Sequence, residues 1–236
     1  MSRIEALDEQ LFWWINGHHT PWLDWPLWTF SQGWCWALVL LTVCVVAIRH
    51  DRPGGAWLLI GIALCFLLAD QISNNVIKDG VMRLRPCHAL EEVRMFHTGK
   101  GGLYGFVSSH AANAFAVAMF ISLCYGGRNK FVGALTDGQH GDGPSDDVDN
   151  SRNAGQRKHI KLLKSWFCHP STGWRSPMLP WIMLGWATVV GYSRPYLGKH
   201  YPGDVLCGAL LGMGLGALVY FVISKIRARV SSTVSA

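Results

Sequence analysis

The chain is short of charge. Asp, Glu, Lys and Arg make up 15% of its 236 residues, against about 25% in an ordinary soluble domain. That shortage excludes most water-facing globular classes. The cysteines lack a framework. Seven is an odd number, no pair forms C-x-x-C, and no zinc-like spacing occurs. Cys35, Cys44, Cys65, Cys124 and Cys207 fall inside apolar runs, where they read as small buried hydrophobes. No internal repeat is visible. The first residues, "MSRIEALDEQLFWWING", lack a basic start followed by a clean apolar core, so they do not read as a signal peptide.

What is there in quantity is apolar. Half the residues are hydrophobic, with 12 Trp and 26 Gly, and they cluster in blocks. Blocks of about 20 apolar residues are the length a bilayer core demands, so the sequence predicts an all-α, multi-pass transmembrane bundle. Ile4, Leu7, Leu11 and Ile15 share one helical face beside Trp13 and Trp14, which predicts a short N-terminal helix along the membrane surface. Spans are expected at about 22–48, from Ala56, from near Ser108, at about 178–192 and at 203–224. The count is five, or six if residues 11–30 insert separately. Gly208, Gly212 and Gly216 form a small-residue face suited to close helix packing. The whole of 1–236 reads as one membrane domain. It is interrupted by a polar insert, 127–177, whose centre is too poor in hydrophobics to order itself. "HIKLLKSWF" in that insert reads as a basic amphipathic stretch on lipid headgroups, or as a partner surface.

Loop charge predicts orientation. With five spans, one side holds the 49–52 turn, the insert and the "KIRAR" tail, together carrying 13 Lys and Arg. The other side, apart from five basic residues considered below, holds only Arg3, Arg94 and Lys100. The positive-inside rule puts the insert and C-terminus in the cytoplasm. Loops 79–107 and 193–202 then face outward. The net charge of +6 is compatible with anionic lipid or phosphate. No nucleic-acid partner is expected.

Three polar clusters gather on that outer side. In "KDGVMRLRP", Lys78 and Arg85 are seven apart. If the second span continues helically they share a face and can close on one anion. The alternative is snorkelling to the headgroups. In "VSSHAANAFA", Ser108 and Ser109 suit a helix N-cap, and a helix N-terminus is a ready anion site. His110 falls in its first turn. In "YSRPYLGKHYPGD", Arg194 offers a cationic fork for phosphate oxygens. His200 and Asp204 are four apart, so the carboxylate can hold one imidazole nitrogen and leave the other nucleophilic. The alternative is a satisfied surface histidine and an acidic helix start. Asp70, Asn74 and Lys78 share one stripe of the second span. They are expected either to hydrogen-bond toward Lys78 from behind or to serve a helix–helix contact.

Three ordered motifs over about residues 56–226 carry a family resemblance: Lys78-x6-Arg85-Pro86, Ser108-Ser109-His110, and Ser193-Arg194-x5-His200-x3-Asp204. The pattern resembles the type 2 phosphatidic acid phosphatase family, membrane lipid phosphatases related to vanadium haloperoxidases. The family's second motif is Pro-Ser-Gly-His; here Val107 and Ser109 replace Pro and Gly. The resemblance implies that His200 attacks phosphorus and becomes a phosphohistidine, and that Asp204 orients it. It implies that His110 protonates the leaving oxygen, while Lys78, Arg85, Arg194, Ser108 and Ser109 hold the phosphoryl oxygens. Arg83 and Lys199 are expected to help with a second phosphate or a headgroup, the alternative being plain interfacial charges. No metal or cofactor is expected, because the cations can neutralise the phosphate.

The expected function is hydrolysis of a lipid-linked phosphate or diphosphate at the outer leaflet of the cytoplasmic membrane, with undecaprenyl diphosphate favoured. The alternatives are phosphatases of lipid A, phosphatidic acid or phosphatidylglycerol phosphate, a lipid phosphotransferase, and a non-catalytic transporter or binding scaffold.

Overall fold

A computed structural model describes residues 3–50, 52–125 and 178–234. The insert and its amphipathic stretch lie outside the described residues. Apart from one isolated bridge, Leu84 with Tyr104, the regular structure described is helical.

The N-terminal helix α1, Arg3–Gly17, has two unlike faces. Ile4, Leu7, Leu11 and Trp14 are exposed, whereas Asp8, Phe12 and Asn16 are buried. Spacing of four places those three on one face. The apolar side is thus left for lipid and the polar side turns toward protein. Asn16 donates to the carbonyls of Arg94 and Tyr196, both at 3.0 Å, and accepts from the Arg94 amide at 3.1 Å.

The expected first span is broken. Helix α2, Pro21–Phe30, and helix α3, Gly33–His50, meet at a 60° bend. Pro21 suits a first helical turn, and α2 is fastened by Asp24, which accepts from Arg94 and from the Tyr196 hydroxyl, both at 2.6 Å. Helix α4, Arg52–Gln71, runs into a π-helical stretch, Ile72–Lys78, and the single turn α5, Asp79–Val81. After a short α6, Pro86–Ala89, come α7, Ser109–Tyr125, α8, Leu179–Tyr196, and α9, Pro202–Val234.

Five similar spans are not what the described residues show. Gly55–Val81 and Pro202–Val230 are long and apolar enough to cross a bilayer, and the bent pair makes a third if counted as one. Helix α7 is apolar but has 17 residues, about 26 Å of rise against a core of about 30 Å.

Helix α7 is the hub, packed by α4, α8 and α9. Its Ala111, Ala112, Ala114, Ala116 and Ala118 are fully buried. The glycine face of α9 meets these alanines. A Cβ on Gly212 would stand 2.2 Å from the Ala112 carbonyl oxygen, and one on Gly216 the same distance from that of Ala116. Only glycine permits this approach, the small-residue packing of membrane helices. It fixes the register of the two helix N-termini on which the site is built.

Candidate active site

The N-termini of α7 and α9 are tied directly. The Ser108 amide donates to the Asp204 carbonyl at 3.0 Å, and the Ser108 hydroxyl caps α7 through the Ala111 amide at 3.5 Å. Pro202 opens α9, as the fixed φ of proline favours. One turn in, Asp204 is fully buried. Its Oδ2 accepts from the Tyr201 amide at 3.0 Å and lies 3.6 Å from His200 Nδ1. Its Oδ1 accepts from Arg83 Nη1 at 2.7 Å. His200 is 1% exposed. Burial, and then the charges of Arg194, Arg85 and Lys78, hold its pKa well below the ordinary histidine value. The imidazole is therefore neutral at pH 7, the form in which a histidine can be a nucleophile.

The cations converge on the same place by different routes. Arg194 stands on the last turn of α8; the helix continues through Tyr196, beyond the span end expected at 192. Its guanidinium is buried, its Nε has no hydrogen-bond partner, and among the described residues no carboxylate pairs with it. Lys78 is held from behind. Asp70 accepts from the Asn74 amide at 2.7 Å, and Asn74 accepts from Lys78 and, at 2.8 Å, from the Ser109 hydroxyl. Lys78 also donates to Ser109 Oγ at 2.6 Å. The Ser109 hydroxyl is thus engaged by Lys78 and Asn74, with Ser73 donating to it at 3.0 Å.

Lys78 and Arg85 do not share a continuous helix face. The helix stops at Val81, and Met82 takes a left-handed φ of 52°. Arg83 to Arg85 then run alongside Leu103 to Gly105: the Arg85 amide donates to Leu103 O at 3.1 Å, and the Gly105 amide to Arg83 O at 2.8 Å. Arg85 Nε donates to Tyr104 O at 3.1 Å. Extended pairing, not helical periodicity, aims Arg85. Burial lowers its pKa and, with Arg194 next, that of Lys199. A Cβ on Gly101 would stand 3.7 Å from both Arg85 Nη1 and Lys199 Nζ, so these two cations flank one loop.

Two participants escaped the sequence reading. Asp8 on α1 accepts from the Gly203 amide at 2.6 Å and from Arg83 at 2.8 Å, and Arg83 lies 4.0 Å above the Tyr201 ring. A chain therefore runs from Asp8 through Arg83 to Asp204 and His200. The available signal was that Asp8, Phe12 and Asn16 fall four apart, on a helical face separate from the apolar one of Ile4, Leu7 and Leu11. Gly105 is the other: a Cβ there would lie 3.2 Å from Asp204 Oδ2.

Both histidines, four cations and a helix N-terminus thus share one buried region, with His110 feeling Arg194, His200, Arg85 and Lys78. Such a site can neutralise a phosphoryl group without reorganisation. Among the described residues no three His, Cys, Asp or Glu side chains are grouped to hold a metal.

The chain is similar to known proteins along most of its length. The chain is 27% identical to a lipid A 4'-phosphatase of Bacteroides thetaiotaomicron over 97% of its length and 82% of that protein. It is 24% identical to a lipid A 4'-phosphatase of Porphyromonas gingivalis over 97% of its length and 78% of that one. Its fold matches a solved transmembrane PAP2-type phosphatidylglycerolphosphate phosphatase from Bacillus subtilis, with a TM-score of 0.56 at 20% identity, covering 97% of this chain and 88% of that one. The family model for the PAP2 superfamily matches residues 55–228. The chain belongs to the PAP2 superfamily and is a membrane lipid phosphatase that hydrolyses phosphate esters.

Proposed function

We propose that the chain removes a phosphate from a lipid A-type glycolipid, at the outer face of the cytoplasmic membrane, through a phosphohistidine. The observation that carries the chemistry is Arg194, a buried guanidinium with no carboxylate partner among the described residues, beside Arg85, Lys78 and His200. An unpaired buried charge costs several kcal/mol, on the order of the penalty for breaking a buried pair. A phosphate dianion removes that cost. Two relatives that match nearly the whole chain support the glycolipid.

In the first step His200 Nε2 attacks phosphorus while the bond to the ester oxygen breaks. Asp204 steadies Nδ1, and His110 gives its proton to the leaving oxygen. Lys78, Arg85, Arg194 and the Ser108–Ser109 end of α7 hold the phosphoryl oxygens. In the second step His110 takes a proton from water, the water oxygen bonds to phosphorus, and the P–N bond breaks. Arg83 and Lys199 act from the edge of the site, Arg83 by holding Asp204. Orientation rests on loop charge. Site and tail also lie at opposite ends of α9, whose 33 residues extend about 50 Å.

A second reading is undecaprenyl diphosphate, which the outward-facing site favours. Phosphate release by detergent-purified protein in EDTA, on lipid A, undecaprenyl diphosphate, phosphatidic acid and phosphatidylglycerol phosphate, decides between them. His200→Ala is expected to abolish all release. Preference for undecaprenyl diphosphate would overturn the glycolipid reading, and transfer of phosphate to an added alcohol would reclassify the enzyme as a phosphotransferase.

A further inference from the structure

The Ser109 hydroxyl stands where the motif of the resemblance has glycine. Ser109 opens α7 and is buried. It meets the π-helical stretch that continues α4, Ile72–Lys78. Widened turns of that kind often occur at functional segments. Three side chains of the stretch engage the hydroxyl. Lys78 donates to Ser109 Oγ at 2.6 Å, Ser73 donates to it at 3.0 Å, and Ser109 donates to Asn74 Oδ1 at 2.8 Å. A hydroxyl has one proton and two lone pairs, so these three bonds use it up. None of its bonding capacity remains for a phosphoryl oxygen.

The same count gives the opposite result for Lys78. An ammonium carries three protons. One goes to Ser109 Oγ and one to Asn74 Oδ1, which leaves one. Lys78 is close enough to His200 and His110 for its charge to act on both. Its two acceptors are neutral. The carboxylate of Asp70 stands one residue behind, accepting from the Asn74 amide at 2.7 Å and so turning Asn74 Oδ1 toward the lysine. A carboxylate bonded to the ammonium itself would compete with phosphate for it. An amide between the two orients the ammonium and leaves its charge for the substrate. A lysine end is otherwise a mobile point charge on a flexible stem.

We propose that Ser109 and Asn74 are positioning residues that act through Lys78: they clamp its ammonium so that the third N–H meets a phosphoryl oxygen, and the Ser109 hydroxyl itself touches no phosphate. What the end of α7 offers phosphate is then its backbone N–H groups. The inference rests on the phosphatase reading and separates the side chain that binds phosphate from the two that aim it.

The test is a pair of double-mutant cycles. Affinity for inorganic phosphate is measured by calorimetry on detergent-purified wild type, Ser109→Ala, Asn74→Leu, Lys78→Met and the two doubles containing Lys78→Met. Phosphate release from the preferred lipid is followed beside it, and thermal unfolding confirms that each variant is folded. Ser109→Ala and Asn74→Leu are each expected to weaken phosphate binding about tenfold, the scale of one hydrogen bond to a charged group, and to lower kcat/KM in parallel. In the Lys78→Met background neither is expected to change phosphate affinity more than about twofold. A loss by the same factor with and without Lys78 would put the hydroxyl or the amide on phosphate directly and overturn the clamp. Phosphate affinity within about twofold of wild type in both single variants would overturn it too, whatever their melting temperatures, because a purely structural role moves melting and not affinity. Clamp behaviour toward inorganic phosphate in a wild type that releases none from any lipid would leave the clamp standing and refute the hydrolase reading beneath it.

Discussion

Asp8 is the residue whose replacement tests the architecture most sharply, because it lies outside all three sequence motifs and outside the segment matched by the family model. It touches the Gly203 amide and Arg83, and Arg83 touches Asp204. Asp8→Ala removes two charge-assisted hydrogen bonds, worth about 1.5–3 kcal/mol each. The Arg83 side chain is 26% exposed, so solvent screens part of that sum. A net loss of about 2 kcal/mol in the positioned state is a fair magnitude. At about 1.4 kcal/mol per decade it corresponds to about 30-fold in rate. The loss belongs in kcat, because the phosphate-holding cations stay in place while the His200–Asp204 pair loosens. Asp8→Asn keeps an oxygen for the Gly203 amide but gives up the charge facing Arg83, so it falls between. The assay is steady-state phosphate release in detergent, with thermal unfolding alongside to confirm folded protein. A folded Asp8→Ala with kcat within about twofold of wild type would refute the claim that α1 steadies the nucleophile.

Other expectations follow from the same geometry. His200 has its pKa pushed below the ordinary value, so its nucleophilic form survives as pH falls through about 6.5. The acid limb of kcat/KM should therefore lie below that value. The folded state takes up this proton later than the unfolded chain, so stability should be full above about pH 6.5 and decline as pH falls below it. A His200→Gln variant should lose that slope. Arg194→Met should abolish turnover yet raise the melting temperature of phosphate-free protein by a few degrees, since it removes an unpaired buried charge. Inorganic phosphate should stabilise wild type and not this variant. Gly212→Ala drives a Cβ into the Ala112 backbone and should cost about 1–3 kcal/mol, read as a lowered melting temperature. EDTA should leave phosphate release intact if Lys78, Arg85 and Arg194 neutralise the phosphoryl oxygens as proposed.

The helical class and the family were legible because both are written locally. Apolar blocks declare helices, and motif residues keep their spacing whatever surrounds them. The glycine face of α9 was legible for the same reason; a repeat of four residues needs no partner to be seen. The number of spans was not confirmed. Trp and Leu continue through Ser31 and Gln32, so hydropathy alone hides the 60° bend there. The helical alignment of Lys78 with Arg85 failed at Met82, where the chain turns left-handed and pairs with residues 103–105. Pairing of that kind depends on a segment about twenty residues away, which periodicity cannot reveal. What Asp8 meets was hidden for a stronger reason. Its partner Gly203 is 195 positions distant, and nothing in either neighbourhood names the other.

The reach of that contact bears on how the enzyme is made. A membrane chain is made N-terminus first, so α1 emerges 195 residues before its anchor at Gly203. Until α9 is inserted, Asp8 has no Gly203 amide to meet, whereas the Arg94 partner of Asn16 is already made. The polar side of α1 must wait at the bilayer surface, wetted by headgroups, while the intervening helices enter. The hydrolytic centre is thus completed late: Asp204 and the Gly203 amide arrive together with α9, after α1 and after the cations Lys78, Arg85 and Arg194.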